Sequence, residues 1–191
     1  MPGARMDLEI RSYGGLRAVS PGKVGGHAAV FNSESADLGG FVEVIRPGAF
    51  ADALRRGRNI RALYHHSDLS LLGTTQAGTL RLREDDTGLA FEVDLPDTSY
   101  GNDVGVLVDR GDIAGCSFGF RTPPDGDRWE QRGDKLVREL LKVDLVEVTL
   151  THDPAYRDTT VARRSVAQHA GMRQWLETHC PRKLWLETVC N

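Results

Sequence analysis

The sequence predicts a β-rich α+β domain, and three features carry that expectation. Leu80 and Leu82 alternate with Arg81 and Arg83, Glu84-Asp85-Asp86-Thr87-Gly88 makes a turn, and Leu89, Phe91, Val93 and Leu95 alternate with Ala90, Glu92 and Asp94 on the return. A period of two marks a half-buried antiparallel hairpin. A second β-prone run extends over residues 140–150. Helical spacing is confined to residues 49–56 (Phe50, Ala53, Leu54) and 102–110 (Val104, Leu107, Val108), the latter stopped by Gly111.

The remaining elements follow in order. Leu8-Glu9-Ile10-Arg11 alternates as a first strand, and residues 25–31 form a buried strand entered by a glycine turn. The polar stretch 32–40 is a loop, and Phe41-Val42-Glu43-Val44-Ile45 is a strand closed by Arg46-Pro47-Gly48. Residues 59–66 read as a strand that runs out into His65-His66, with His66 on the face of Tyr64 and His65 on the other. Residues 71–82 lead into the hairpin described above. Arg128-Trp129-Glu130 and Leu136-Val137-Arg138 flank Arg132-Gly133-Asp134 as a second hairpin, whose return strand continues through Leu150.

With 191 residues, 40% of them hydrophobic, the chain can bury one sizeable core. A formal net charge of -3 gives no electrostatic footprint for nucleic acid, and no apolar run approaches the ~18 residues of a membrane span. The first residues lack the apolar centre of a signal peptide, so a cytosolic protein is expected. Cys116, Cys180 and Cys190 form no C-x-x-C pair, so neither a zinc site nor a redox motif is expected, and no cofactor is called for.

Chemistry concentrates in three places. Ser117 stands between Gly115 and Gly119 on an apolar strand, where glycines clear room for a substrate backbone. His65-His66 ends an apolar segment. Glu147 interrupts an apolar strand, sharing a face with Val143 and Leu145, where a carboxylate must be exposed or paired. A serine hydroxyl becomes a useful nucleophile when an imidazole takes its proton and a carboxylate orients that imidazole. Cys116, the rival nucleophile, faces away from Ser117 and reads as an inert buried thiol. Backbone N–H groups near Ser117 and Gly119 are the expected donors to an oxyanion.

Gly26-His27-Ala28-Ala29-Val30-Phe31-Asn32, Glu43-Val44-Ile45-Arg46-Pro47-Gly48-Ala49-Phe50, Ala62-Leu63-Tyr64-His65-His66, Arg110-Gly111-Asp112-Ile113, Ser117-Phe118-Gly119-Phe120 and Leu145-Val146-Glu147-Val148 occur in that order. Together with Pro154-Ala155-Tyr156, they make the chain resemble the prohead (capsid maturation) proteases of HK97-type tailed phages. The resemblance covers about residues 24–162, a protease domain between an N-terminal segment (1–23) and a C-terminal tail (163–191). It implies a compact mixed β-barrel with short flanking helices, related to the herpesvirus assembly proteases. It also implies Ser117 as nucleophile and His66 as base, with His65 in the preceding position. Glu147 occupies the place of the third member, with His152, Asp153 and Asp144 as competitors.

The implied partners are the major capsid protein with its scaffolding segment and the chain itself, as substrate of autoproteolysis and in a homo-oligomer such as a dimer. The implied setting is the interior of the procapsid in the host cytoplasm. The expected geometry puts Ser117 Oγ within reach of one His66 nitrogen and Glu147 near the other. The competing reading is a protease-like barrel without activity that serves as a capsid-assembly scaffold. A nucleic-acid-binding barrel is disfavoured by the acidic charge and sparse aromatics. The tail holds an echo, Trp175-Leu176-Glu177-Thr178 and Trp185-Leu186-Glu187-Thr188, for which the sequence offers no physical account.

Overall fold

A computed structural model describes residues 7–152. The chain runs β1 (Glu9–Gly14), β2 (Arg17–Ser20), β3 (Lys23–Val30), β4 (Val42–Ile45), α1 (Ala51–Arg55), β5 (Arg61–Tyr64) and β6 (Ser67–Thr74). It continues β7 (Leu80–Glu84), β8 (Gly88–Asp94), α2 (Ser99–Arg110), β9 (Gly115–Arg121), β10 (Asp127–Arg132), β11 (Lys135–Leu140) and β12 (Asp144–Thr151). The β-rich expectation holds, and so does the β7–β8 hairpin, paired from Leu80↔Val93 to Glu84↔Leu89. The polar tail and its echo lie outside the described residues.

The strands form three sheets, ordered β1-β9-β12-β5-β6, β10-β11-β4 and β2-β3-β8-β7. They do not close into the expected barrel. Where the chain passes from one sheet to another it does so at turns whose N–H groups bond to loop carbonyls instead of extending a ladder. Gly15 and Leu16 donate to Ala114 O, Thr75 to Ile60 O, and Leu141 and Lys142 to Gly126 O. The last of these turns also divides the long strand expected through Leu150: β11 stays in the three-stranded sheet, and β12 crosses to the five-stranded one. Two pairings are parallel, β11 with β4 and β12 with β5.

Helix α2 begins earlier than its apolar spacing indicates, because Thr98 caps it by accepting from Gly101 N; Gly111 closes it with φ 83°. Its Val104 and Val108 join a core with Phe50 next to α1 and Phe31 at the end of β3. Cys116, Phe118 and Phe120 of β9 and Val148 and Leu150 of β12 complete the centre of that core. Phe50 meets Phe118 edge-on at 5.4 Å, and Phe118 stacks on Phe120 at 5.0 Å. Aromatic pairs of this kind add about 0.5–1.5 kcal/mol to the area they bury.

A second, polar interior joins β1, β4 and β11. Arg11 and Arg138, both buried, share Glu9 and Glu43, and Arg138 also donates to Asp127 and Thr122. The burial of Glu9 works against its charge, but Arg138 and Arg11 hold its carboxyl below the ordinary range. This network seats β1 along β9 from Gly115 to Phe120, with Ser12 opposite Ser117.

Candidate active site

Strand β9 alternates. Cys116, Phe118 and Phe120 enter the core, which leaves Ser117 and Gly119 on the other face. Cys116 donates its Sγ–H to His27 O at 3.0 Å, and burial pushes its thiol up to about 12. It is chemically quiet at neutral pH and turned away from Ser117.

A bulge in β12 sets Glu147. Leu145 pairs with Phe120 and Glu147 with Gly119, so Val146 is an extra residue. Leu145, Val148 and Leu150 all belong to the core, and Glu147 and Thr149 are therefore on the face of Ser117. The expectation that Leu145 and Glu147 share a face fails here, because period-two counting misses one inserted residue. Gly119 also serves differently from its expected role. A Cβ there would lie 2.8 Å from Glu147 Cγ, so this glycine makes room for the carboxylate side chain.

The histidines occupy a turn, not the strand end that alternation predicts. Tyr64 pairs with Ser67 across β5 and β6, leaving His65 and His66 as a two-residue loop with φ 52° and 55°. Two successive positive φ values are what a type I′ turn requires, and its right-handed twist matches the flanking strands. Histidine adopts this region more readily than most residues. The turn separates the two rings. His66 Nε2 lies 2.8 Å from Ser117 Oγ, and its Nδ1 lies 2.6 Å from Glu147 Oε1. His65 packs on Tyr64 at 4.2 Å, and its Nε2 meets His152 Nδ1 at 3.0 Å. Burial, and then the neighbouring His152 and His66, hold the His65 ring below its ordinary pKa.

Of the other candidates, Asp144 pairs with Arg56 at 3.1 Å and Arg58 at 3.7 Å, outside this cluster. Asp153 lies outside the described residues. Ser117 is 0% exposed and Glu147 4%, while the His66 side chain is 29% exposed. Two strands and the β5–β6 turn thus bring a hydroxyl, an imidazole and a carboxylate into one hydrogen-bonded line. With a proton on Nδ1 for Glu147 to accept, Nε2 is free to take the Ser117 proton.

Sequence reasoning missed two neighbours of Glu147. Thr149 Oγ1 is 3.5 Å from Oε1, and Arg61 Nη2 is 3.4 Å from Oε2. Alternation from Glu147 could have found Thr149. No local signal points to Arg61, which arrives through the parallel β5–β12 pairing. One of the expected oxyanion donors is drawn into the sheet. Strand β9 pairs with β1 on one edge and β12 on the other, so the N–H of Ser117 is committed to a ladder. Among the described residues, no group of three or more His, Cys, Asp or Glu side chains could hold a metal ion. No described helix is long and apolar enough to cross a membrane.

The model of the caudovirus prohead serine protease family matches residues 7–172. The chain belongs to this family. The match begins before Val24 and takes in β1 and β2, in keeping with the docking of β1 beside the strand of Ser117. No curated protein and no solved structure matches the chain. The family is one of serine proteases of the phage prohead, which associates the chain with the phage capsid protein.

Proposed function

We propose that this prohead protease is a serine endopeptidase in which Ser117 is the nucleophile, His66 the general base and Glu147 the residue that orients it. The observation that carries this reading is the line Ser117 Oγ–His66 Nε2–His66 Nδ1–Glu147 Oε1, with separations of 2.8 and 2.6 Å. Ser117 Oγ attacks the scissile carbonyl as His66 Nε2 takes its proton. The imidazolium then gives that proton to the leaving amine, and water repeats the sequence on the acyl-enzyme. Glu147 holds the tautomer and stabilises the transient imidazolium. Since β9 is paired on both edges, oxyanion donors in this reading come from outside that strand.

The substrates are the scaffolding portion of the major capsid protein and the chain itself, whose polar stretch from Arg157 onward is the self-processing region. The protein acts in the procapsid within the host cytoplasm, as a homo-oligomer. Kinship with the herpesvirus assembly proteases belongs to the same reading, with Glu147 in the place of their second histidine. The full burial of Ser117 means that a substrate carbonyl reaches Oγ only after surrounding residues move.

Incubating the full chain with its capsid protein tests the proposal. Discrete fragments are expected with the native sequence, and a rate loss on the order of 10⁴ or more is expected for Ser117→Ala. Undiminished cleavage by Ser117→Ala would overturn it.

A further inference from the structure

We propose that Arg61 is a positioning residue for Glu147, fixing the rotation of its carboxylate and supplying a counter-charge on the side away from His66. This inference rests on the catalytic reading above. Parallel pairing puts Arg61 of β5 beside Glu147 of β12. Its Nη2 lies 3.4 Å from Glu147 Oε2, the oxygen that His66 does not use. Its Nη1 donates to Asp68, two residues after His66 in the same hairpin. Arg61 is thus held from one side by β6 and holds Glu147 on the other.

The energetics favour this role. The Glu147 side chain is 5% exposed and that of Arg61 35%, so a nearly buried carboxylate meets a cation at the rim. A buried carboxylate oxygen without a partner is costly, and the free group would turn about its last torsion to find one. That rotation would pull Oε1 away from Nδ1. The positive charge also offsets the field of Glu147 at the ring, favouring the neutral imidazole that a base requires.

Among the described residues, the groups around His66 come from four elements and its own turn. Glu147 faces it from β12, Ser117 from β9 and Arg61, through Glu147, from β5. Asp68, on β6, is engaged by Arg61, and His65 shares the turn and is paired with His152.

The test uses full-length protein and a fluorophosphonate ester, which loses fluoride to an activated serine and reports its reactivity without the capsid substrate. Labelling rates are measured from pH 5 to 9 for the native chain, Arg61→Gln, Arg61→Lys and Ser117→Ala. Arg61→Gln keeps a donor but drops the charge. Its acid limb is expected to move up by about half a pH unit, because the imidazolium is less opposed. Its rate at neutral pH should fall about tenfold, as outer-shell losses do. Arg61→Lys should return the limb to its native position.

A purely structural role would lower the yield of folded protein and leave the limb in place. Identical limbs with rates within twofold would overturn the proposal. Absence of labelling at Ser117 in the native chain would instead sink the catalytic reading. In that case the His66 ring titration followed by NMR decides the coupling: a raised midpoint in Arg61→Gln supports it, and an unchanged one overturns it.

Discussion

At Gly119 a single hydrogen atom decides whether the carboxylate fits. A methyl group would lie 2.8 Å from Glu147 Cγ and 3.3 Å from Cδ, both well inside contact distance. Backbone on either side is fixed by β1 and β12, so the side chain must give way. Gly119→Ala is expected to lower kcat/KM on the order of 10²-fold by displacing Glu147, with a stability loss of about 1–3 kcal/mol from overpacking. Activity assays and a thermal melt on the same preparation check this. Native activity in that variant would contradict the orienting role proposed for Glu147. Sequence reading recognised Gly119 as a position that makes space but assigned that space to a substrate backbone: the occupant is the side chain of Glu147, 28 residues further along the chain.

The β5–β6 hairpin and the β12 bulge show what pattern reading finds and what it misses. The residue types of the site were legible, because a polar side chain stands out inside an apolar strand, as Ser117 and Glu147 do. The β7–β8 hairpin was legible because leucine and charge alternate without interruption. The His65-His66 turn was not, since histidine is outside the usual asparagine–glycine vocabulary of type I′ turns. The Val146 bulge was not either, because an inserted residue carries no composition of its own.

The turn yields a prediction at its own scale. Asparagine also tolerates positive φ, so His65→Asn preserves the backbone and leaves activity within about threefold of native, whereas His66→Asn keeps the same turn and abolishes cleavage. Paired rate measurements with matched circular dichroism check it. Loss of activity in both variants to the same extent would assign the histidines a joint structural role.

Across the whole molecule, buried ion pairs link strands alongside the phenylalanine core. Arg11 and Arg138 with Glu9 and Glu43 join β1 to β4 and β11. Glu139, also fully buried, meets Arg46, Arg132 and Arg128. Burial opposes its charge, yet these three arginines bring its carboxyl down to about 2. Glu9 and Glu139 are both depressed in the folded state. Their contribution is complete above the unfolded glutamate value and is lost as pH falls through the folded one. Stability should therefore hold above roughly pH 4.3 and decline between there and about pH 2, read as a falling midpoint of chemical denaturation. A flat profile over that window would contradict the pairing of these carboxylates.

The same network secures the strand before Val24 that alternation over Leu8–Arg11 indicated: β1 is a short edge strand held by ions and by its ladder to β9. By docking β1, this interior also sets one wall beside Ser117. The most direct measurement of the account as a whole is peptide mapping of the fluorophosphonate adduct on the full chain. The adduct is expected on Ser117, with its formation lost in His66→Ala and reduced in Glu147→Ala. An adduct on another residue, or one that forms equally well without the imidazole at position 66, would contradict it.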